Sequence, residues 1–125
     1  MAPRDRRYTK EHEWLIIEDN QVKIGITDHA QDALGDIVFV ELPSVNESFS
    51  AGDSFAVVES VKTVSPIYTS ITGTVIEVNT ELEATPELLN SAPYDTFIAA
   101  FKADEIDLSR LLTAEEYDAF LASEA

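Results

Sequence analysis

Five short runs of β-branched and aromatic residues, each bounded by turn-forming residues, set the fold class of this chain. Trp14-Leu15-Ile16-Ile17 and Val22-Lys23-Ile24-Gly25-Ile26 flank the polar Glu18-Asp19-Asn20-Gln21, which predicts two strands around a turn. Ile37-Val38-Phe39-Val40-Glu41-Leu42 stops at Pro43, which has no N–H to give a ladder. Phe55-Ala56-Val57-Val58-Glu59 follows the turn Ala51-Gly52-Asp53, and Thr74-Val75-Ile76-Glu77-Val78 follows Gly73. Tyr94 through Phe101 reads as a further strand. Helical signals are shorter. Asp28 is placed to cap a helix over 29–34 that Gly35 ends, and Thr85-Pro86-Glu87-Leu88-Leu89-Asn90 reads as a helical turn with proline at its first position. At the C-terminus Thr113-Ala114-Glu115-Glu116 forms a capping box, and Leu112, Tyr117, Phe120 and Leu121 follow at helical spacing as a core stripe. The expectation is a mainly β fold with short peripheral helices and a C-terminal helix.

Length and composition narrow the function classes. At 125 residues the chain is sized for one domain, here read as 1–125 with a core over about 8–101 and a helical extension over about 104–123. No apolar run reaches the roughly 18 residues of a membrane span. The start, Met1-Ala2-Pro3-Arg4-Asp5-Arg6-Arg7, lacks the apolar stretch of a secretory signal. Without cysteine there is no disulfide frame, thiolate nucleophile or Cys-type zinc site. With 24 acidic against 8 basic side chains, the net charge of −16 repels phosphate backbones and excludes a nucleic-acid partner.

The positive charge is unevenly spread. Arg4, Arg6, Arg7, Lys10 and Lys23 occupy the first 23 positions, leaving Lys62, Lys102 and Arg110 against 19 acidic residues in the rest. Lys62 is therefore the only cation between residues 24 and 101, and it stands among valines in Val58-Glu59-Ser60-Val61-Lys62-Thr63-Val64. A lysine amine is a poor nucleophile unless burial or a neighbouring cation activates it, and these surroundings are acidic. Such a lysine suits modification by another enzyme better than chemistry of its own. A weak internal repeat at an offset of 38 residues pairs Gly35 with Gly73, Ile37 with Val75, Val38 with Ile76, Val40 with Val78 and Gly52 with Asn90. It describes two similar sheets about a pseudo-twofold axis, with Lys62 at their join.

Conventional active-site patterns are missing from the sequence. Glycines are too few and too scattered for a phosphate loop, and no Gly-x-Ser-x-Gly elbow occurs. His12 between Glu11 and Glu13 is a poor metal site, because adjacent strand residues point to opposite faces. The expectation is no catalytic residue, no metal and no enzyme activity.

With these residues in hand, the chain resembles the H-proteins of the glycine cleavage system. The resemblance runs from about Tyr8 to Phe120. It rests on Tyr8-Thr9-Lys10-Glu11-His12-Glu13-Trp14, Val22 through Gln31, Leu34-Gly35-Asp36 through Pro43, Val58-Glu59-Ser60-Val61-Lys62, Gly73 through Asn79, and Pro86-Glu87-Leu88-Leu89-Asn90. It implies a lipoyl/biotinyl-type β-sandwich, the barrel-sandwich hybrid, with Lys62 on a tight hairpin as the site of covalent lipoic acid. It implies a carrier that takes an aminomethyl group from glycine decarboxylase to the tetrahydrofolate-dependent aminomethyltransferase. Dihydrolipoyl dehydrogenase would reoxidise the arm, and a separate lipoylating enzyme would load it. By the same resemblance Glu13 helps to hold the loaded arm, and Glu59 helps the lipoylating enzyme to recognise its target. The chain is expected to be a monomer in the bacterial cytoplasm, or in the mitochondrial matrix as a processed form, with no membrane partner.

Three departures from the family pattern stand out. Pro66 replaces an acidic residue four positions after the lysine, Asp95-Thr96-Phe97 replaces a glycine–tryptophan pair, and Asn46 replaces a turn glycine that asparagine can mimic. The first two are the support for a rival reading, an H-protein-like carrier serving lipoyl relay or sulfur oxidation. A biotin carrier fits less well, because the methionine usual beside its lysine is Val61 here.

Overall fold

Each of the five β-branched runs forms a strand in the computed structural model, which describes residues 2–124. The elements follow in order as β1 (Arg7–Tyr8), β2 (Glu13–Glu18), β3 (Gln21–Ile26), α1 (Asp28–Leu34), β4 (Ile37–Glu41), β5 (Ser48–Phe49), β6 (Ser54–Ser60), β7 (Val64–Tyr68) and β8 (Thr72–Val78). Then come α2 (Glu81–Ala84), α3 (Leu88–Ser91), β9 (Ala99–Glu105) and α4 (Ala114–Glu124), with 3₁₀ turns at Pro93–Asp95 and Leu108–Arg110. A six-stranded sheet in the order β1-β2-β3-β9-β8-β5 faces a three-stranded sheet, β4-β6-β7. All pairings are antiparallel. Alternation along the strands sends Leu15, Val22, Ile24, Val58, Ile67, Val75 and Phe101 into one core between the sheets.

The C-terminal helix is built as its sequence requires. The Thr113 amide donates to Glu116 Oε1 at 2.8 Å, and the Glu116 amide donates to Thr113 Oγ1 at 3.2 Å, a complete capping box. The helix buries Tyr117 in a second apolar cluster with Tyr8 and Trp14, and Leu112, Phe120 and Leu121 pack around it. Tyr117 stacks on Tyr8, with ring centroids 4.8 Å apart. Its hydroxyl bonds both His12 Nδ1 and Thr27 Oγ1 at 2.8 Å, tying α4 to the ends of β2 and β3.

Several local expectations are corrected. Thr27, not Asp28, caps α1: its backbone is extended, as a cap requires, and its hydroxyl accepts from the Ala30 amide at 3.3 Å. Asp28 lies one residue inside and accepts from Gln31 Nε2. Pro86 precedes α3 in a turn instead of opening it. The strand expected over 94–101 begins only at Ala99. Before it, the Pro93 carbonyl accepts from the Trp14 indole at 2.9 Å and the Tyr94 carbonyl from Arg6 at 2.7 Å, which hold that stretch as a 3₁₀ turn. The repeat does set β4 and β8 in opposite sheets, but those sheets are unequal, and Asn90 is helical where Gly52 has φ 97°. Lys62 consequently joins two strands of one sheet and does not connect the sheets. Strand β7 escapes a propensity reading because Pro66 interrupts it, which only an edge strand tolerates. Asn46 does take the left-handed turn, at φ 76°.

Gly73 on β8 is required by close approach. A Cβ there would lie 2.4 Å from the Lys102 carbonyl oxygen and 3.1 Å from Ala103 Cα, both backbone atoms of the neighbouring β9. Gly73→Ala must spread β8 from β9 and is expected to lower stability by about 2 kcal/mol in urea unfolding. A midpoint equal to that of the parent chain would show that the strands yield at no cost.

Candidate functional site

Lys62 is exposed at the tip of the hairpin joining β6 and β7. Ser60, itself buried, builds the turn. Its amide donates to the Thr63 carbonyl at 2.8 Å, and its hydroxyl oxygen accepts from the Lys62 and Thr63 amides at 3.2 and 3.1 Å. The Val61 amide donates across to the Asp36 carbonyl at 3.0 Å, so the tip is pinned to the α1–β4 connection.

Gly35 is the floor beneath the lysine. It ends α1 at φ 79°, a conformation that glycine enters without strain. A Cβ at this position would stand 2.8 Å from Lys62 Cε, so the lysine stem lies directly over the glycine. Asn90 braces the same floor from α3. Its Oδ1 accepts from the Ile37 amide at 2.9 Å, and its Nδ2 donates to the Gly35 carbonyl at 2.9 Å and to Gln31 Oε1 at 3.0 Å. One side chain therefore clamps both ends of the three-residue segment whose middle carbonyl holds the hairpin tip.

Next to Gly35 in the chain, Leu34 lines an open cleft of about 400 Å³ with Ala30, Ala33, Ile26, Ile67 and Pro66. Glu13 lines this cleft too, and it also lines an adjoining cavity of about 470 Å³ with Thr9, Lys10, Ser70 and Arg110. Glu13 is 3% exposed. The Thr9 hydroxyl donates to its Oε1 at 2.8 Å, and the Tyr68 amide donates to its Oε2 at 3.2 Å. Burial outweighs both bonds and pushes the carboxyl up to about 7. Beside it His12, at φ 68°, is held below the ordinary histidine value by burial and by His29, whose ring centroid lies 4.2 Å away. Among the described residues, no three His, Asp or Glu side chains gather as a metal site.

The expected site residues thus fall at separate places. Lys62 sits at the hairpin tip, Glu13 is buried in the cleft, and Glu59 is exposed on β6 opposite Phe39 and Val64. Pro66 puts an apolar ring in the cleft lining where the family pattern has a carboxylate. Phe97, the second departure, lies beneath Lys23 and away from the hairpin, with Nζ 4.9 Å from its ring centroid. Gly35, Ser60 and Asn90 carry the geometry of the tip. Asn90 is marked in the sequence as the end of a Pro86–Asn90 motif and as the repeat partner of Gly52, neither of which shows its bracing role, since its partners lie more than 50 residues away.

Two unequal antiparallel sheets, with a lysine hairpin on the smaller one, define a lipoyl/biotinyl-type β-sandwich. The family model described as Glycine cleavage H-protein matches residues 6–124. A glycine cleavage system H protein of Thermus thermophilus is 53% identical over 125 residues, covering 98% of this chain and 98% of that protein. The Oceanobacillus iheyensis protein of the same name is 51% identical, covering 95% and 96%. The crystal structure of a glycine cleavage system H protein from Mycobacterium marinum superposes with a TM-score of 0.90 at 40% identity, covering 97% of this chain and 99% of that one. The chain belongs to the glycine cleavage H-protein family, whose members are carrier components of the glycine cleavage system.

Proposed function

We propose that Lys62 carries lipoic acid as an amide on Nζ, and that this chain is a non-catalytic aminomethyl carrier of glycine cleavage. The observation that carries the reading is the join of hairpin and cleft. The sole cation of the central chain lies over Gly35, and the next residue, Leu34, opens an apolar cleft that reaches a buried carboxylate. The residues fit a lipoyl arm: a Cβ-free floor lies beneath the stem, Ile26, Ala33, Leu34 and Ile67 offer apolar contact, and Glu13 offers an anion. When bound, the lipoyl group would supply a redox-active disulfide that can open to take up an aminomethyl unit from glycine decarboxylase for the tetrahydrofolate-dependent aminomethyltransferase, with dihydrolipoyl dehydrogenase reoxidising the dithiol left behind.

The protein's own tasks are to present and to hold. Ser60 and Asp36 hold the backbone of the tip, so the flexible lysine stem springs from a fixed place. The apolar cleft lining offers a surface to whatever lies along it, and the ionised Glu13 carboxylate attracts a cationic amine delivered there. Glu59 serves recognition by the lipoylating enzyme. The bacterial relatives support a place in the bacterial cytoplasm.

Intact mass after treatment with a lipoylating enzyme and lipoate tests the reading. One lipoyl increment is expected on the parent chain and none on Lys62→Arg, whose guanidinium is too weak a nucleophile to be acylated. An increment persisting in Lys62→Arg would move the site elsewhere. A fully lipoylated chain that accepts no aminomethyl group from glycine decarboxylase would favour lipoyl relay or sulfur oxidation instead.

A further inference from the structure

Strand pairing in the small sheet aligns its side chains in rows. Phe39, Glu59 and Val64 stand directly opposite one another, as do Glu41, Val57 and Pro66 one step on. Val40, Val58 and Ser65 form the row between and turn to the other face, so the first two rows share the outer face. Phe39 is 51% exposed and Val64 60%, and at the hairpin tip Val61 is 68% exposed. Of the eight large apolar side chains exposed among the described residues, five belong to this sheet or its hairpin: Val38, Phe39, Val61, Val64 and Tyr68. Such clustering beside a functional lysine is unlike the scattered apolar exposure of an ordinary surface.

Charge and geometry together select the occupant. The patch is bordered by the exposed carboxylates Asp36 and Glu41 and carries Glu59 at its centre, with Lys62 as the only nearby cation in the sequence. Its complement is a shallow apolar surface rimmed by lysine and arginine. Enzymes that act on the far end of a long arm need not touch the hairpin. An enzyme that acylates Nζ must, because the amine has to approach the activated acyl carbon to within about 3–3.5 Å. In that step the Nζ–C amide bond forms, the bond from the acyl carbon to its leaving group (the nucleotide of an acyl adenylate) breaks, and the amine's proton passes to solvent.

We propose that the outer face of β4-β6-β7, centred on the Phe39–Glu59–Val64 row, is the docking surface for the enzyme that lipoylates Lys62. This rests on the lipoyl-lysine reading above. It makes Glu59 the polar centre of an apolar grip and extends recognition to side chains the sequence motif does not include.

The test is the initial rate of lipoylation of the purified chain by a lipoate–protein ligase with ATP and lipoate, against acceptor concentration. Phe39→Ser and Val64→Thr are each expected to raise KM for the acceptor about tenfold with kcat little changed, the signature of lost docking. KM of the parent chain is expected to rise with salt. Val45→Thr, an exposed apolar residue off the sheet, serves as surface control. Acceptor KM within twofold of the parent in both variants overturns the proposal. So does sedimentation showing the parent chain to be a dimer that Phe39→Ser dissociates, since the face would then belong to a second copy. A parent chain that takes no lipoyl group at all overturns the lipoyl-lysine reading as well, which separates the two failures.

Discussion

Asn90→Ala is expected to lower the stability of the chain by about 3 kcal/mol and to release the Val61 amide to solvent exchange. The variant loses three hydrogen bonds, and it strands the Ile37 amide and the Gly35 carbonyl. Ile37 is buried, so its unpaired N–H bears the full cost of desolvation, of order 1–3 kcal/mol, with the carbonyl adding to it. The effect on the site follows from connectivity. The Asp36 carbonyl that receives the Val61 amide lies between the two clamped residues. Denaturant unfolding gives the stability change, and amide exchange under native conditions gives the local one. Asn90→Asp sharpens the result. It keeps an acceptor for Ile37 but turns a carboxylate oxygen toward the Gly35 carbonyl, so it is expected to recover only part of the loss. Protection at Val61 that falls no more than the global average would show that Asn90 stabilises the fold without bracing the lysine.

That clamp also shows where sequence reasoning stops. Strands whose apolar residues face a continuous core are legible, because alternation and β-branching are local properties: Trp14–Ile17, Val22–Ile26 and Thr74–Val78 all lie within strands. The C-terminal capping box is legible for the same reason, both of its bonds spanning three residues. The two-residue strands β1 and β5 and the proline-bearing β7 owe their existence to neighbours distant in the chain and have no signal of their own. Tyr94 and Asp95 read as the start of a strand over 94–101, but the indole of Trp14 and the guanidinium of Arg6 take the Pro93 and Tyr94 carbonyls and hold a 3₁₀ turn there. Lys62 could be singled out from charge alone, since isolation of one cation is a property of the string. Gly35 is legible as a helix end, but its place under the lysine is not, nor are the roles of Asn90 and Ser60, because these depend on which atoms the fold brings to them. The outer row of the small sheet was hidden likewise: Phe39, Glu59 and Val64 become neighbours only through pairing register.

Glu13 carries the clearest dependence on pH. Its carboxyl is held at about 7 against an ordinary 4.5, with burial as the main cause. The native state therefore keeps this proton in a range where the unfolded chain has already released it. Stability contributed through Glu13 falls as pH rises from about 4.5 to 7 and is level above that, a total change of about 3 kcal/mol. Glu13→Gln cannot titrate. Its amide oxygen can still accept from the Tyr68 amide and its nitrogen can donate to Thr9 Oγ1, leaving the Thr9 hydroxyl proton without its acceptor at every pH. The difference in unfolding free energy, parent minus variant, is expected to drop by about 3 kcal/mol between pH 4 and pH 8, whatever its offset. A flat difference would mean that Glu13 ionises at its ordinary value and that water reaches it freely. The expected slope bears on function, because at neutral pH this carboxylate weakens the fold that contains it. Glutamine would fill the same space without that cost, so stability alone gives no reason for a charge at the junction of cleft and cavity. A cation held against Glu13 would draw its carboxyl back below 7 and recover the lost free energy as affinity, which is the use the proposed aminomethyl carrier would have for a buried acid.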